Sequence, residues 1–205
     1  MKWLSTIALM AALPIGAANA SLIYMEDFES GLGGWTGKAA GPHDAVISTD
    51  PIEGDSAVRW RSLEAGGESF SIASFAAGTY TLVFDYLGLP EPGSSQSPGD
   101  FGGFIGISAG FPGVHRWLEG TVLCCGAESS TLLDDGMWHT YSVTFTAAWD
   151  FHIMLEDFSG SGGIPGDAWF DDIKLFEGRV AVAEPLTIGL VTMGLLGLGF
   201  RRRRS

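Results

Sequence analysis

Between Thr79 and Tyr86 the chain alternates without a break, with Tyr80, Leu82, Phe84 and Tyr86 in one set and Thr79, Thr81, Val83 and Asp85 in the other. A period of two belongs to extended backbone, where successive side chains point to opposite faces, so this segment is a strand that buries its aromatic face. The same period recurs along the chain. Val58 and Trp60 oppose Arg59 and Arg61; Tyr141, Val143 and Phe145 oppose Thr140, Ser142 and Thr144; Phe151, Ile153 and Leu155 repeat it once more. Further strand candidates are 22–28, 45–48, 69–75, 101–108, 114–118 and 168–176, bounded by Gly-, Pro- and Asp-rich breaks. No stretch between 21 and 178 sustains a helical apolar period. About ten short strands of this kind predict an all-β fold, an antiparallel sandwich or barrel. Two breaks, Gly88 to Asp100 and Ser159 to Asp167, are long enough to carry binding residues.

Both ends read as address labels. Lys2 gives a positive start, Leu4 to Leu13 an apolar run and Ala18-Asn19-Ala20 a small-residue cleavage site, which predicts a signal-peptide helix over 1–20 and a mature chain from Ser21. At the other end Glu184-Pro185 precedes the uncharged stretch 186–200, and Arg201, Arg202, Arg203 and Arg204 follow it. Clustered cations resist crossing a bilayer, so the arginines stay cytoplasmic and the body lies on the far side. As a helix the apolar run spans roughly 22 Å against a hydrocarbon core of about 30 Å. It is a short transmembrane helix that depends on snorkelling arginines or local thinning. A permanent tail anchor is the alternative; a GPI signal fits worse, because its apolar tail normally ends the chain.

The layout of that tail resembles the PEP-CTERM sorting signal of Gram-negative bacteria, in which Pro-Glu-Pro, a short transmembrane helix and an arginine cluster follow one another. Here Ala183 stands in place of the first Pro. The resemblance implies export by the Sec machinery, transient anchoring in the inner membrane through 186–200 with the body in the periplasm, and processing by an exosortase-type enzyme. The body then reaches the cell surface or extracellular matrix, where exopolysaccharide is the expected partner. The expected organisation is signal peptide 1–20, body 21–178 and sorting tail 179–205.

A body of this length can bury a real core. It holds five Lys and Arg residues against twenty-three Asp and Glu, a formal charge of −18. Nucleic acid and anionic lipid are thereby excluded as partners, since both are bound by clustered Lys and Arg. Cations are favoured instead; solubility of an exposed protein and divalent-ion binding are both open readings of the acidity.

Two segments bracket the body. Glu26-Asp27-Phe28-Glu29-Ser30-Gly31-Leu32-Gly33-Gly34-Trp35 and Ala168-Trp169-Phe170-Asp171-Asp172-Ile173-Lys174-Leu175 resemble the first and last strands of galactose-binding-like jelly rolls, including non-catalytic carbohydrate-binding modules. Asp135 to Val143 is similar to a strand entry found in jelly-roll and laminin-G-like domains. The resemblance implies a structural Ca²⁺ joining the first and last strands through Glu29 and Asp171. Hard carboxylate oxygens suit that ion. Alternation sets Asp171 with Trp169, Ile173 and Leu175 on the core side, where an uncompensated carboxylate is costly; Glu53 and Asp27 are further ligand candidates.

Sugar binding rests on aromatic platforms and a few polar side chains. Trp35, Trp117, Trp138 and Trp149 stand near strand ends and are the candidates, although tryptophan is commonly core. After residue 20 the chain has no Asn and its one Gln is Gln96, so amide side chains that could orient a sugar are nearly absent.

Catalytic signals fail in turn. Gly106-Ile107-Ser108-Ala109-Gly110 matches G-x-S-x-G, yet Phe111-Pro112-Gly113 follows where a nucleophile elbow needs a helix. His43, His115, His139 and His152 lack metal-ligand spacing. Glu26-Asp27 and Glu156-Asp157 are adjacent pairs whose members point to opposite faces of a strand. Cys124 and Cys125, the only cysteines, leave three states open: a strained ring, free or intermolecular thiols, or two small apolar residues at a strand end. The expectation is an exported, non-catalytic surface or matrix protein with a structural or interaction role. A carbohydrate-binding module is the alternative and a secreted hydrolase a distant one.

Overall fold

The computed structural model describes residues 20–41, 45–49, 52, 54–60, 67–90, 102–123, 126–158 and 166–180. Ala18 and most of the signal segment lie outside them, as do the tail with Glu184, Pro185, the span 186–200 and Arg201 to Arg204, and also His43, Glu53, Cys124 and Cys125. Among the described residues no helix is long and apolar enough to cross a membrane.

The unit Ala20–Arg179 carries every strand described. In chain order these are β1 (Ser21–Glu26), β2 (Trp35–Thr36), β3 (Ala45–Thr49), β4 (Ser56–Trp60), β5 (Gly67–Ser71), β6 (Gly78–Gly88), β7 (Gly103–Ser108), β8 (His115–Gly120), β9 (Trp138–Ala147), β10 (His152–Asp157) and β11 (Ala168–Glu177). Each of the ten segments expected from alternation contains one. The addition is β2, two residues long and too short to show a period. A six-stranded sheet runs β3-β4-β11-β6-β9 with β1 also on β11, and a five-stranded sheet runs β2-β5-β10-β7-β8. All pairs are antiparallel, as the sandwich expectation requires.

The inner faces meet as one core. β6 contributes Tyr80, Leu82, Phe84 and Tyr86; β9 contributes Phe145; β7 and β10 contribute Ile105, Ile107, Ile153 and Leu155 from the other sheet. Phe84 stacks on Tyr141 with ring centroids 5.6 Å apart, a cross-strand aromatic pair of the kind that fixes register. Arg116 of β8 joins the free edges of the two sheets, donating from Nη1 to the Thr146 carbonyl of β9 at 2.7 Å while its Nε and Nη2 hold Glu128.

One face assignment from the sequence is corrected. In β11 the core takes Ala168 and Phe170 and then Ile173 and Leu175, a step of three in the middle of a two-residue period. The cause is a bulge: register against β6 shifts between Asp171 and Lys174, and Asp172 sits in the left-handed region at φ 49°. Asp171 therefore shares the outer face with Trp169, opposite Asp85 of β6, and not the core side with Ile173 and Leu175.

Candidate functional site

The outer face of the six-stranded sheet is partly apolar. Trp138 of β9 lies opposite Leu87 of β6, and Leu87 opposite Trp169 of β11. One residue from the Phe170–Val58 pair, Trp169 meets Arg59 of β4, whose Cζ stands 5.2 Å from the indole centroid. Trp138, Leu87, Trp169, Ala57 and Leu89 pack as a cluster separate from the core. At about 4.8 Å per strand, the row Trp138–Leu87–Trp169–Arg59 extends roughly 14 Å. Nε1 of Trp138, Nε1 of Trp169 and Nε of Arg59 are all buried without a hydrogen-bond partner. Each such orphan costs about 1–3 kcal/mol. The next row on the same face is Thr140–Asp85–Asp171, which supplies acceptors. A row of donors thus lies beside a row of acceptors.

The outer face of the five-stranded sheet has a different chemistry. Thr36, Phe70, Met154, Gly106 and Trp117 form one cross-strand row, and Glu68, Glu156, Phe104 and Gly120 the next. A Cβ on Gly106 would lie 2.2 Å from the Arg116 carbonyl oxygen, and one on Gly120 2.5 Å from the Phe104 ring. The two glycines let Trp117 and Phe104 lie close to the sheet. Phe70, Phe104, Trp117 and Met154 are covered by Phe111, Val122, Ala127 and Phe158. Beside them Glu68 holds the Lys38 Nζ at 3.0 Å. Glu156 is 6% exposed, and no hydrogen bond to its carboxyl forms among the described residues. Burial, then the charge of Glu68, push that carboxyl up to about 8 against the opposing pull of Lys38.

The calcium expectation falls at a gap along β11. β1 pairs with β11 from Ile173 to Glu177 and β4 at Phe170, so Asp171 and Asp172 lie between two neighbours. Glu29 Oε1 accepts the Ser56 N–H at 2.7 Å, and Asp171 Oδ1 accepts the Asp172 N–H at 2.7 Å. Burial raises the Asp171 carboxyl to about 7, and the charges of Asp172, Asp55 and Asp85 add to that rise. Lys174, the nearest cation on the strand, is held by Asp172 at 2.9 Å. Acids thus crowd around Asp171, and the Lys174 ammonium beside them is spent on Asp172. The ligand set is nevertheless incomplete: Asp27 is engaged in a turn, accepting the Glu29 N–H at 3.2 Å, and among the described residues no group of three or more His, Cys, Asp or Glu could hold a metal ion.

The four candidate tryptophans separate. Trp35, 4% exposed, packs on Phe28 and donates Nε1 to Glu26 at 3.1 Å, which makes it core. Trp117, also 4% exposed, lies under the cover of the five-stranded sheet, and Trp149 packs half-buried against the core. Trp138 alone of the four stands half-buried on an outer face beside another indole. Sequence reasoning missed Trp169, Arg59 and Glu68, because only strand register brings them into their rows.

The catalytic motifs dissolve into structure. Ser108 ends β7, donates from Oγ to the Gly110 carbonyl at 2.8 Å and accepts the Gly113 N–H at 3.1 Å, inside a turn to β8. His152 Nδ1 faces the Ser71 carbonyl at 2.8 Å, His139 pairs with Asp135 at 3.0 Å, and His115 is exposed beside Trp117. Glu26 is occupied by the Phe28 N–H and the Trp35 indole.

No family model matches the chain, and no curated protein matches it. Among solved structures it is similar to TmCBM61 in complex with β-1,4-galactotriose, at 17% identity over 74% of this chain and 94% of that one, with a TM-score of 0.40. The carbohydrate binding module CBM6cm-2 from Cellvibrio mixtus lichenase 5A, in complex with cellotriose, is 14% identical over 77% of this chain and 99% of its own, with a TM-score of 0.39. A CBM35 from Paenibacillus barcinonensis is 13% identical over 76% and 99%, with a TM-score of 0.39.

Proposed function

We propose that the chain is an exported, non-catalytic surface or matrix protein whose sandwich binds neutral carbohydrate on the outer face of the six-stranded sheet and so associates with exopolysaccharide. One observation carries this reading: the row Trp138–Leu87–Trp169–Arg59 places three orphaned donors and two indoles beside the acceptors Asp85, Asp171 and Thr140. A sugar hydroxyl both donates and accepts, and a sugar ring offers C–H faces to indoles, so a saccharide that reaches these buried donors would satisfy both rows. An anion would meet Asp85 and Asp171 in a body of charge −18; a cation would meet Arg59. The extended row suits a chain of rings better than a lone small molecule.

Delivery rests on the two terminal segments: Sec export with cleavage before Ser21, then a PEP-CTERM-like tail handled by an exosortase-type enzyme. A structural Ca²⁺ drawn to Glu29 and Asp171 belongs to the same reading, supported by the crowded acids around Asp171; it would take Asp171 from the acceptor row and leave Asp85 and Thr140 to the sugar. The experiment is a glycan array probed with residues 21–178 and with the Trp138→Phe and Arg59→Gln variants. Binding to neutral glycans that both variants lower about tenfold or more, one orphan donor's worth of energy each, is expected. An array without neutral-glycan signal, or variants that bind like the parent, would reject the glycan site and leave a structural or protein-interaction role.

A further inference from the structure

The five-stranded sheet carries a second site of opposite preference. Glu156 lies mid-row, with Glu68 of β5 directly across on one side and Phe104 of β7 on the other. It is more than nine-tenths buried, and its carboxyl forms no hydrogen bond among the described residues. Among the described residues the charged groups that bear on it are Glu68, Lys38 from the turn after β2, and Asp157 next along its own strand; β7 places the uncharged Phe104 opposite it. Lys38 is already engaged, with its Nζ 3.0 Å from Glu68 Oε2, and its side chain is 55% exposed. Among the described residues these two carboxyl groups therefore share one surface cation, and none of those residues supplies a second to Glu156.

The missing group can be narrowed by chemistry. A hydroxyl hydrogen-bonds a carboxylate without neutralising it. A divalent ion needs more hard ligands than this pair offers, and no group of three is available among the described residues. A compact monovalent donor with several N–H groups satisfies both carboxylates at once. We propose that Glu156 and Glu68 form a binding site for a primary ammonium group, with amino-sugar residues bearing a free amine as the ligand class. This site lies on the other sheet from the neutral-carbohydrate face and does not depend on that reading. Because Glu156 must release its proton to pair with an ammonium, affinity for an amine that stays charged rises with pH toward about 8.

The test is calorimetric titration of Ala20–Arg179, the unit with its own core, with three probes: a glucosamine tetramer, the same tetramer N-acetylated, and spermidine. The free-amine tetramer should bind about tenfold or more tightly than the acetylated one, the scale of one charge-assisted hydrogen bond. Glu156→Gln should erase that preference. Glu177→Gln, the same charge change at the exposed end of β11, should keep it. Lys38→Gln should tighten amine binding several-fold by removing the resident competitor. Spermidine should bind more tightly at pH 8 than at pH 6; if it matches the tetramer, the ammonium site stands and its ligand is a polyamine. Equal affinity for free and acetylated tetramers, an equal loss in Glu177→Gln, or weaker binding in Lys38→Gln overturns the proposal. Trp138→Phe should leave amine binding unchanged, so failure of one site is separable from failure of the other.

Discussion

Replacing Glu156 by Gln should make the protein more stable at neutral pH. The ordinary glutamate value is 4.5, and burial holds the folded carboxyl at about 8. Below pH 4.5 both folded and unfolded chains keep the proton, and Glu156 adds no penalty. Between 4.5 and 8 the unfolded chain releases a proton that the folded chain retains, so stability falls as pH rises. Each unit costs about 1.4 kcal/mol, so the roughly 2.5 units up to pH 7 amount to about 3 kcal/mol. Gln has the same shape and no charge to bury. Glu156→Gln should therefore gain about 3 kcal/mol at pH 7 and nearly nothing at pH 4, which for a domain of this size raises Tm by about 6–12 °C at pH 7. Asp157, whose carboxyl burial raises to about 7, keeps some pH slope in the variant. Calorimetric melts at whole pH units from 4 to 8 measure this. A variant less stable than the parent at pH 7 would refute the reasoning. So would a gain of equal size at pH 4 and pH 7, because packing rather than ionisation would then be responsible.

Ca²⁺ should raise the Tm of the body, by the equivalent of about 2.7 kcal/mol at a hundredfold excess over Kd, and Asp171→Ala should remove most of the rise; an equal shift with Mg²⁺ at matched ionic strength would withdraw the site. Gly88→Ala should lower the unfolding free energy read from urea melts by the ~1–3 kcal/mol of an overpacked core, since its Cβ would stand 1.8 Å from Asp134 Oδ1 and 2.8 Å from Asp134 Cα. Intact-mass measurement on the protein from its native cell should find a chain that begins at Ser21 and ends near Leu186; retention of Arg201 to Arg204 would mean a permanent anchor.

Strands were legible because burial of one face imposes a period that six to eight residues already display, as in 79–86 and 140–145. Two failures have definite causes. Trp35–Thr36 is too short to have a period, and its place as β2 comes from pairing with Ser71 and Phe70. Asp171 was set on the wrong face because a bulge at Asp171–Asp172 uses an extra residue. The local signal was the Asp-Asp pair itself, since Asp tolerates the left-handed conformation that Asp172 adopts. The candidate sites were legible only in fragments. Trp138 and Asp171 each carry a signal of their own, but Trp138 meets Trp169 and Arg59, and Asp171 meets Asp85, only through pairing of β9, β6, β11 and β4, and alternation says nothing about which strands are neighbours. In the sequence Glu156 stands out only beside Asp157, whereas its chemistry is set by Glu68 across the ladder.

Outer faces of an antiparallel sandwich are normally polar and fully hydrated. Here each outer face has a local arrangement that is costly in the unliganded protein: three orphaned donors on one sheet and, on the other, the buried Glu156 set directly across from Glu68. Sequences depart from local consistency mainly at functional positions, where binding compensates for the stability given up. The two departures also differ in sign. The donor row with Arg59 disfavours a cation seated on it, whereas Glu68 and Glu156 disfavour anions, so if both proposals hold, one small domain takes two chemically different partners on opposite faces. A matrix protein able to do so would join polymers that have no affinity for each other. That consequence ties the stability experiment to the binding experiments: if Glu156→Gln both stabilises the fold and abolishes amine binding, the buried charge is retained for function. If it stabilises the fold and amine binding persists, Glu156 is only a tolerated defect of the sheet.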